Sequence, residues 1–260
     1  YENMRFIAAN GALPVLQPGE FSKAHHPPLY YVIGAALTGR IPAENLGQLA
    51  ASTNEFWGYH QYEPGIDNKS QYLTDPALSG WPYRDVSLAI HLLRWLSLLL
   101  GAGVIWAAYQ TARLLFAAEP VLWVGTAVLI AFNPMFLYIQ SSVHNDALTN
   151  LLAALTVLAV VVYWQKGPSP RRAALIGLLA GLGILTKITF LFLGPMVALA
   201  LLARSWRDRR THPGWVREAA TMLLIGGGVV VALSGWWFVR NQLLYGEPTS
   251  MELQASIWQP

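Results

Sequence analysis

AALIGLLAGLGILTKITFLFLGPMVALALLA, residues 173–203, carries one lysine in the middle of an apolar run of 31 residues. As a single helix it would bury Lys187 at membrane depth, where a lone charge is costly. The flanks decide against that. Lys166, Arg171 and Arg172 precede the run, and Arg204, Arg207, Arg209, Arg210 and Arg217 follow it. Clusters of Lys and Arg in short loops mark the cytoplasmic side. Both ends of the run therefore face the same way, and the chain turns back near Lys187. The halves, Ala173 to Thr186 and Ile188 to Ala203, have 14 and 16 residues, or roughly 21 and 24 Å. Helices that short leave Lys187 below the outer surface, in protein or in a wet cavity.

Outward from this hairpin, four more apolar runs read as spans: Leu88–Leu115, Val121–Tyr138, Leu148–Trp164 and Ala219–Val239. With the two halves of the hairpin they make six spans, an all-α polytopic membrane protein. Composition agrees, with 54% hydrophobic and only 12% charged residues against roughly 25% charged in soluble domains. The net charge is +3, but the basic residues cluster in loops between apolar runs, a topology signal and not a nucleic-acid face. Nucleic acid is not an expected partner. The absence of cysteine removes disulfides, thiol chemistry and Cys-based metal sites.

Three regions follow: an extracytoplasmic loop with a juxtamembrane helix over 1–84, a six-helix transmembrane region over 85–240, and the start of a further extracytoplasmic loop over 241–260. The chain begins in what reads as a loop, so a longer protein with at least one more helix upstream of Tyr1 is expected. Tyr1 to Asn10 reads as a short helix ended by Asn10-Gly11. At His25-His26-Pro27-Pro28-Leu29-Tyr30-Tyr31 a polar segment meets an apolar one. The two prolines stiffen the loop that holds the histidines. The apolar run Leu29–Leu37 is too short to cross a bilayer and reads as a helix lying at its surface. The stretch from Arg40 to Arg84 is rich in aromatics, among them Trp57, Tyr59, His60, Tyr62, Trp81 and Tyr83. They serve either as interfacial anchors or as platforms for sugar rings.

This topology gathers His25, His26, His144, Asp146, Lys187 and Arg240 on the extracytoplasmic side, with Arg94 about two turns inside its span and His91 one turn before it. Each has a bland alternative. Asp146 either caps its helix or points into a cavity while Asn145 caps. Arg94 either faces a polar cavity or snorkels to the surface. Arg240, after Trp236-Trp237, reads by itself as an interface anchor. Taken together the cations outnumber the anion, which suits a phosphate or pyrophosphate at the lipid–water boundary. Asp146 would then act as base or metal ligand. No ligand spacing compels a metal, although His144, Asp146 and the loop histidines are donors that could take a divalent ion.

Five strings in order resemble a known family: HHPPLYY (His25–Tyr31), HLLRWLSLLLGA (His91–Ala102), FNPMFLYIQSSVHNDALTNLLAAL (Phe132–Leu155), LAGLGILTKITFLFLGP (Leu179–Pro195) and GWWFVRNQLLYGEP (Gly235–Pro248). They are similar to pieces of the lipid-carrier-dependent glycosyltransferases of the GT-C fold, the superfamily of protein O-mannosyltransferases and the lipid A aminoarabinose transferase. The resemblance implies a GT-C-like helix bundle in the cell (plasma or inner) membrane. It also implies an inverting transfer of a sugar from a polyprenyl phosphate or pyrophosphate to a protein, glycan or lipid acceptor on the extracytoplasmic face. On this resemblance Asp146 falls on the family's second acidic position, and His26 stands just before the Pro-Pro pair, near the donor phosphate. Lys187 joins them as a catalytic candidate, and His25, Arg94 and Arg240 as donor-phosphate ligands. The family's principal acidic residue is expected upstream of Tyr1. Glu2 is a candidate substitute that stands a few residues too late. Two other readings stay open, a transporter or flippase of phosphorylated lipids and an inactive membrane scaffold. A transporter predicts internal repeats with broken helices at matching positions, and no repeat is visible.

Overall fold

The computed structural model describes residues 1–16, 24–47 and 79–258. Trp57, Tyr59, His60 and Tyr62 lie outside the described residues. Two short helices come first, α1 (Glu2–Asn10) and α2 (Leu29–Thr38), followed by α3 (Asp85–Leu115), α4 (Pro120–Ala131) and α5 (Pro134–Gln140). Then follow α6 (Asp146–Lys166), α7 (Pro170–Ile184), a 3-10 helix (Ile188–Phe192), α8 (Leu193–Arg207), α9 (Trp215–Tyr245) and α10 (Met251–Trp258).

Helix ends follow local sequence. Gly11 closes α1 in the left-handed conformation at φ 61°, and Gly246 closes α9 at φ 76°, which glycine adopts without a Cβ penalty. Pro120, Pro134 and Pro170 each open a helix, where the missing N–H costs no intrahelical bond.

Against the six expected spans, four helical segments are long and apolar enough to cross a membrane: α3, α6, Ile188–Arg207 and α9. A fifth is counted only if α4 and α5 are taken as one span, and the two are bent by 61°. Hydropathy made 121–138 look continuous, but Pro134 cannot continue the preceding helix and biases Asn133 toward extended backbone. Asn133 is extended and its side chain caps α5, accepting from the Phe136 N–H. The remaining predicted span, α7, has 15 residues, about 22 Å, shorter than hydrocarbon about 30 Å thick, yet it joins the two ends of the bundle.

The turn at Lys187 is present. Lys187 is extended between α7 and the 3-10 helix, and its N–H donates to the Gly183 carbonyl. The chain reverses there. Ala173 and Ile176, in the first two turns of α7, share a core cluster with Leu201 of α8, Tyr163 of α6 and Met222 of α9. At the other end of the bundle Ile184 and Phe190 pack with Met4, Tyr30, Leu93, Leu148 and Leu152.

The backbones of α7 and α9 approach closely. A Cβ on Gly177 would stand 2.3 Å from the Gly226 carbonyl oxygen. Small residues allow such contact between membrane helices, where dispersion and not hydrophobic driving force favours association. The opposite ends of α3, α6 and α8 are tied by side-chain bonds. Gln165 Nε2 donates to the Leu114 carbonyl, Trp164 Nε1 to Ala200 at 3.0 Å, and Arg204 Nε to Trp164 at 2.8 Å. Arg113, Lys166, Arg172 and Arg204 therefore stand at one end of the bundle, and Asp146 with Lys187 at the other.

Candidate functional site

Asp146 is the first residue of α6, and Asn145 precedes it as N-cap without a capping side-chain bond. The carboxylate is instead spent on two neighbours. Lys187 Nζ donates to Asp146 Oδ1 at 2.5 Å, and His144 Nδ1 stands 3.2 Å from Oδ2. Both side chains of the Lys187–Asp146 pair are 24% exposed, so the pair is sunk yet reachable. The same His144 nitrogen lies 3.2 Å from the Asp146 N–H. One nitrogen cannot accept from the amide and donate to the carboxylate at once, so the imidazole proton decides which contact is made. Beneath the pair, buried Asn145 donates through Nδ2 to the Thr186 carbonyl at 3.3 Å. Two polar contacts thus join consecutive residues, 145 and 146, to 186 and 187. They hold the start of α6 against the Lys187 turn.

The histidine loop is brought to the same turn by main chain. The Leu29 N–H donates to the Leu185 carbonyl at 2.9 Å, giving a partner to one of the first amides of α2, which has no side-chain cap. Pro27 is buried. His26 is half-buried, its ring centroid 4.3 Å from that of His25 and 6.4 Å from that of Tyr31. Burial pushes the Tyr31 phenol up from its ordinary value, and Tyr30 and the Asp146 carboxylate add to the shift. Tyr31 therefore stays a neutral donor between His26 and Asp146 at any physiological pH. His26, Tyr31, Asn3, Pro28 and Trp237 line a narrow cleft.

The other sequence candidates fall around this centre at different depths. His25 is 8% exposed, behind His26, and its carbonyl accepts from Ser250 Oγ at 3.5 Å. Arg240 Nη2 donates to the Pro14 carbonyl at 2.9 Å. Its guanidinium carbon lies 5.0 Å from the centroid of the Trp237 ring, and Nη1 is buried with no hydrogen-bond partner among the described residues. Arg94 is exposed and donates from Nε to the Ser141 carbonyl at 2.7 Å, on the segment that leads into His144. His91 is occupied elsewhere, Nδ1 on the Ser87 carbonyl and its ring stacked on Tyr83 at 3.6 Å. Glu2 is exposed, whereas Asn3 of the same turn lines the cleft.

Tyr31, Asn3, Trp237 and the Asn145–Thr186 contact were not singled out in the sequence. Tyr31 carried a signal, because it lies one turn into the helix that the histidine loop starts. No three His, Cys, Asp or Glu side chains among the described residues converge as a metal centre. His144 and Asp146 offer two ligands, and an ammonium already holds one carboxylate oxygen. A divalent cation prefers several oxygen ligands and is repelled by that charge. The described donor set does not fit a divalent ion, and no step is routed through one.

These features define a polytopic all-helical membrane protein. An ion pair and a histidine–aromatic cleft lie together at one end of its bundle. The model of the dolichyl-phosphate-mannose-protein mannosyltransferase family matches residues 89–236, more than half of the chain, and the chain belongs to that family. It is thus a membrane glycosyltransferase of GT-C type. The match takes in Arg94, Asp146 and Lys187 but neither the histidine loop nor Arg240. No curated protein and no solved structure matches the chain.

Proposed function

We propose that this glycosyltransferase moves a sugar from a polyprenyl phosphate or pyrophosphate to an acceptor on the extracytoplasmic face, with inversion at the anomeric carbon. The observation that carries the reading is the Asp146–Lys187 pair beside the His26–Tyr31 cleft, opposite the arginine-rich end. The positive-inside rule supports an extracytoplasmic reading of that site.

In an inverting transfer the acceptor oxygen attacks the anomeric carbon as the bond to the phosphate oxygen breaks, and negative charge grows on the departing phosphate. Lys187 is the cation nearest the carboxylate and, in a poorly hydrated site, stabilises that charge more than it would in water. Asp146 holds the ammonium in place and balances its charge until a phosphate enters. His26 and Tyr31 supply donors for the phosphate oxygens, and Arg240 has a buried N–H to spare. The acceptor's proton goes to a carboxylate base, the part that the sequence resemblance gives to the family's principal acidic residue.

The test uses the full-length protein in nanodiscs with a panel of polyprenyl-phosphate and polyprenyl-pyrophosphate sugars, following release of sugar from the lipid. Wild type should consume one donor, and Asp146→Ala and Lys187→Ala should not, while all three melt cooperatively. Equal binding of polyprenyl phosphate by all three with no donor consumed would sink the transferase reading in favour of a transporter or scaffold.

A further inference from the structure

At the end of the bundle away from Asp146, the last turns of α3, α6 and α8 leave an open groove. Its floor is apolar, built from Leu115, Val161 and Trp164, and its rim carries Arg204, Arg207 and Asp208. The rim cations are not equivalent. Arg204 is engaged on both edges, by an ion pair to Asp208 and by Nε on the Trp164 carbonyl. Arg207 is exposed and has no polar partner among the described residues. Arg172 donates from Nη1 to the Lys166 and Gly167 carbonyls, so part of the acceptor capacity at the end of α6 is already taken.

Charge around the groove is one-sided. Segments 113–119, 164–172 and 204–218 hold nine Lys and Arg residues against three Asp and Glu. Trp206 and Trp215 meet edge to face at 5.2 Å, and Arg209 sits 4.4 Å over the Trp206 ring. Tryptophan and arginine together are the marks of a membrane–water boundary. An apolar floor ending in an unpartnered guanidinium at that level matches an amphiphile with an anionic head, not a free ion.

We propose that the groove between α3, α6 and α8 binds one anionic phospholipid, its phosphate against Arg207 and its acyl chains along Leu115, Val161 and Trp164. Basic recesses between membrane helices on the cytoplasmic side bind such headgroups by the same combination of field and contact. The site is separate from the transferase centre, and the proposal does not depend on the sugar donor.

Native mass spectrometry of the full-length protein, delipidated and titrated with phosphatidylglycerol or phosphatidylcholine, tests this. Wild type should retain one phosphatidylglycerol and little phosphatidylcholine. Arg207→Glu should weaken that retention at least about tenfold, the equivalent of one lost charge-assisted contact, without loss of folding, because Arg207 makes no internal polar contact. Val161→Trp, which fills the floor, should weaken it too. Equal retention of the two lipids overturns the proposal, as does retention unchanged in both variants. Displacement of the lipid by millimolar inorganic phosphate would show a headgroup-only anion site and also overturn it.

Discussion

Replacing Lys187 with methionine keeps most of the side-chain volume and removes the ammonium from Asp146. The turn itself should survive, because it is held by main chain: Lys187 N–H to Gly183, Phe190 N–H to Lys187 and Leu29 N–H to Leu185. The lost contact is one charge-assisted hydrogen bond between partners that are each 24% exposed. That exposure sets it above a surface ion pair and below a fully buried one. A contact of this kind is worth about 1.5–3 kcal/mol. If it acts in the transition state, sugar release should slow by roughly 10- to 150-fold. The informative measurement is a double-mutant cycle with Asp146→Asn, reading donor cleavage in nanodiscs and thermal unfolding on the same samples. Groups that act as a unit give a double variant little worse than the poorer single one, so the coupling should reach at least about 1.5 kcal/mol. Strictly additive losses would refute the reasoning, as would a Lys187→Met enzyme within about twofold of wild type beside a dead Asp146→Asn.

Tyr31→Phe should lower the rate about tenfold, as one lost donor to a charged oxygen would. The pH profile should not move, because the phenol is pushed up from its ordinary value and does not titrate in the working range; a shifted limb would count against this. Arg240→Gln should raise the donor KM about tenfold with kcat less affected, since Nη1 is a spare buried donor; a fall in kcat at constant KM would assign it another part. Gly177→Ala sets a methyl 2.3 Å from the Gly226 carbonyl oxygen and should cost at least ~1–3 kcal/mol as α7 and α9 separate. That loss is read as a lower melting temperature in detergent.

Some of this was open to sequence reasoning and some was not, for reasons that can be named. The reversal at Lys187 was legible because arginines flank both ends of the run. The break at Asn133-Pro134 was present in the sequence but outweighed by an unbroken stretch of apolar residues, since hydropathy does not register a missing N–H. The shortness of α7 was legible from the 14 residues between Arg172 and Lys187. Asp146 and Lys187 stood out as charges in apolar surroundings, but their contact, 41 residues apart, depended on α6 and α7 packing side by side. Arg94 looked equally exceptional and lies exposed against Ser141. Nothing in the sequence separated it from Lys187. The Leu29–Leu185 bond could not be read at all, because main-chain groups carry no residue signature.

The separation between Asp146 and Lys187 also bears on biosynthesis. Asp146 leaves the ribosome well before Lys187, so α6 presents its carboxylate to the insertion machinery before the partner ammonium exists. A lone charge at helix centre costs about 2.5–3.5 kcal/mol on insertion scales, and less near a helix end. The short α7, about 22 Å long, is a weak stop by itself and delivers its lysine only as α8 follows. Pairing after synthesis of the hairpin would favour release of α6, α7 and α8 together. Neutralising Asp146 should hasten the lateral exit of α6, an effect on assembly that precedes any effect on catalysis.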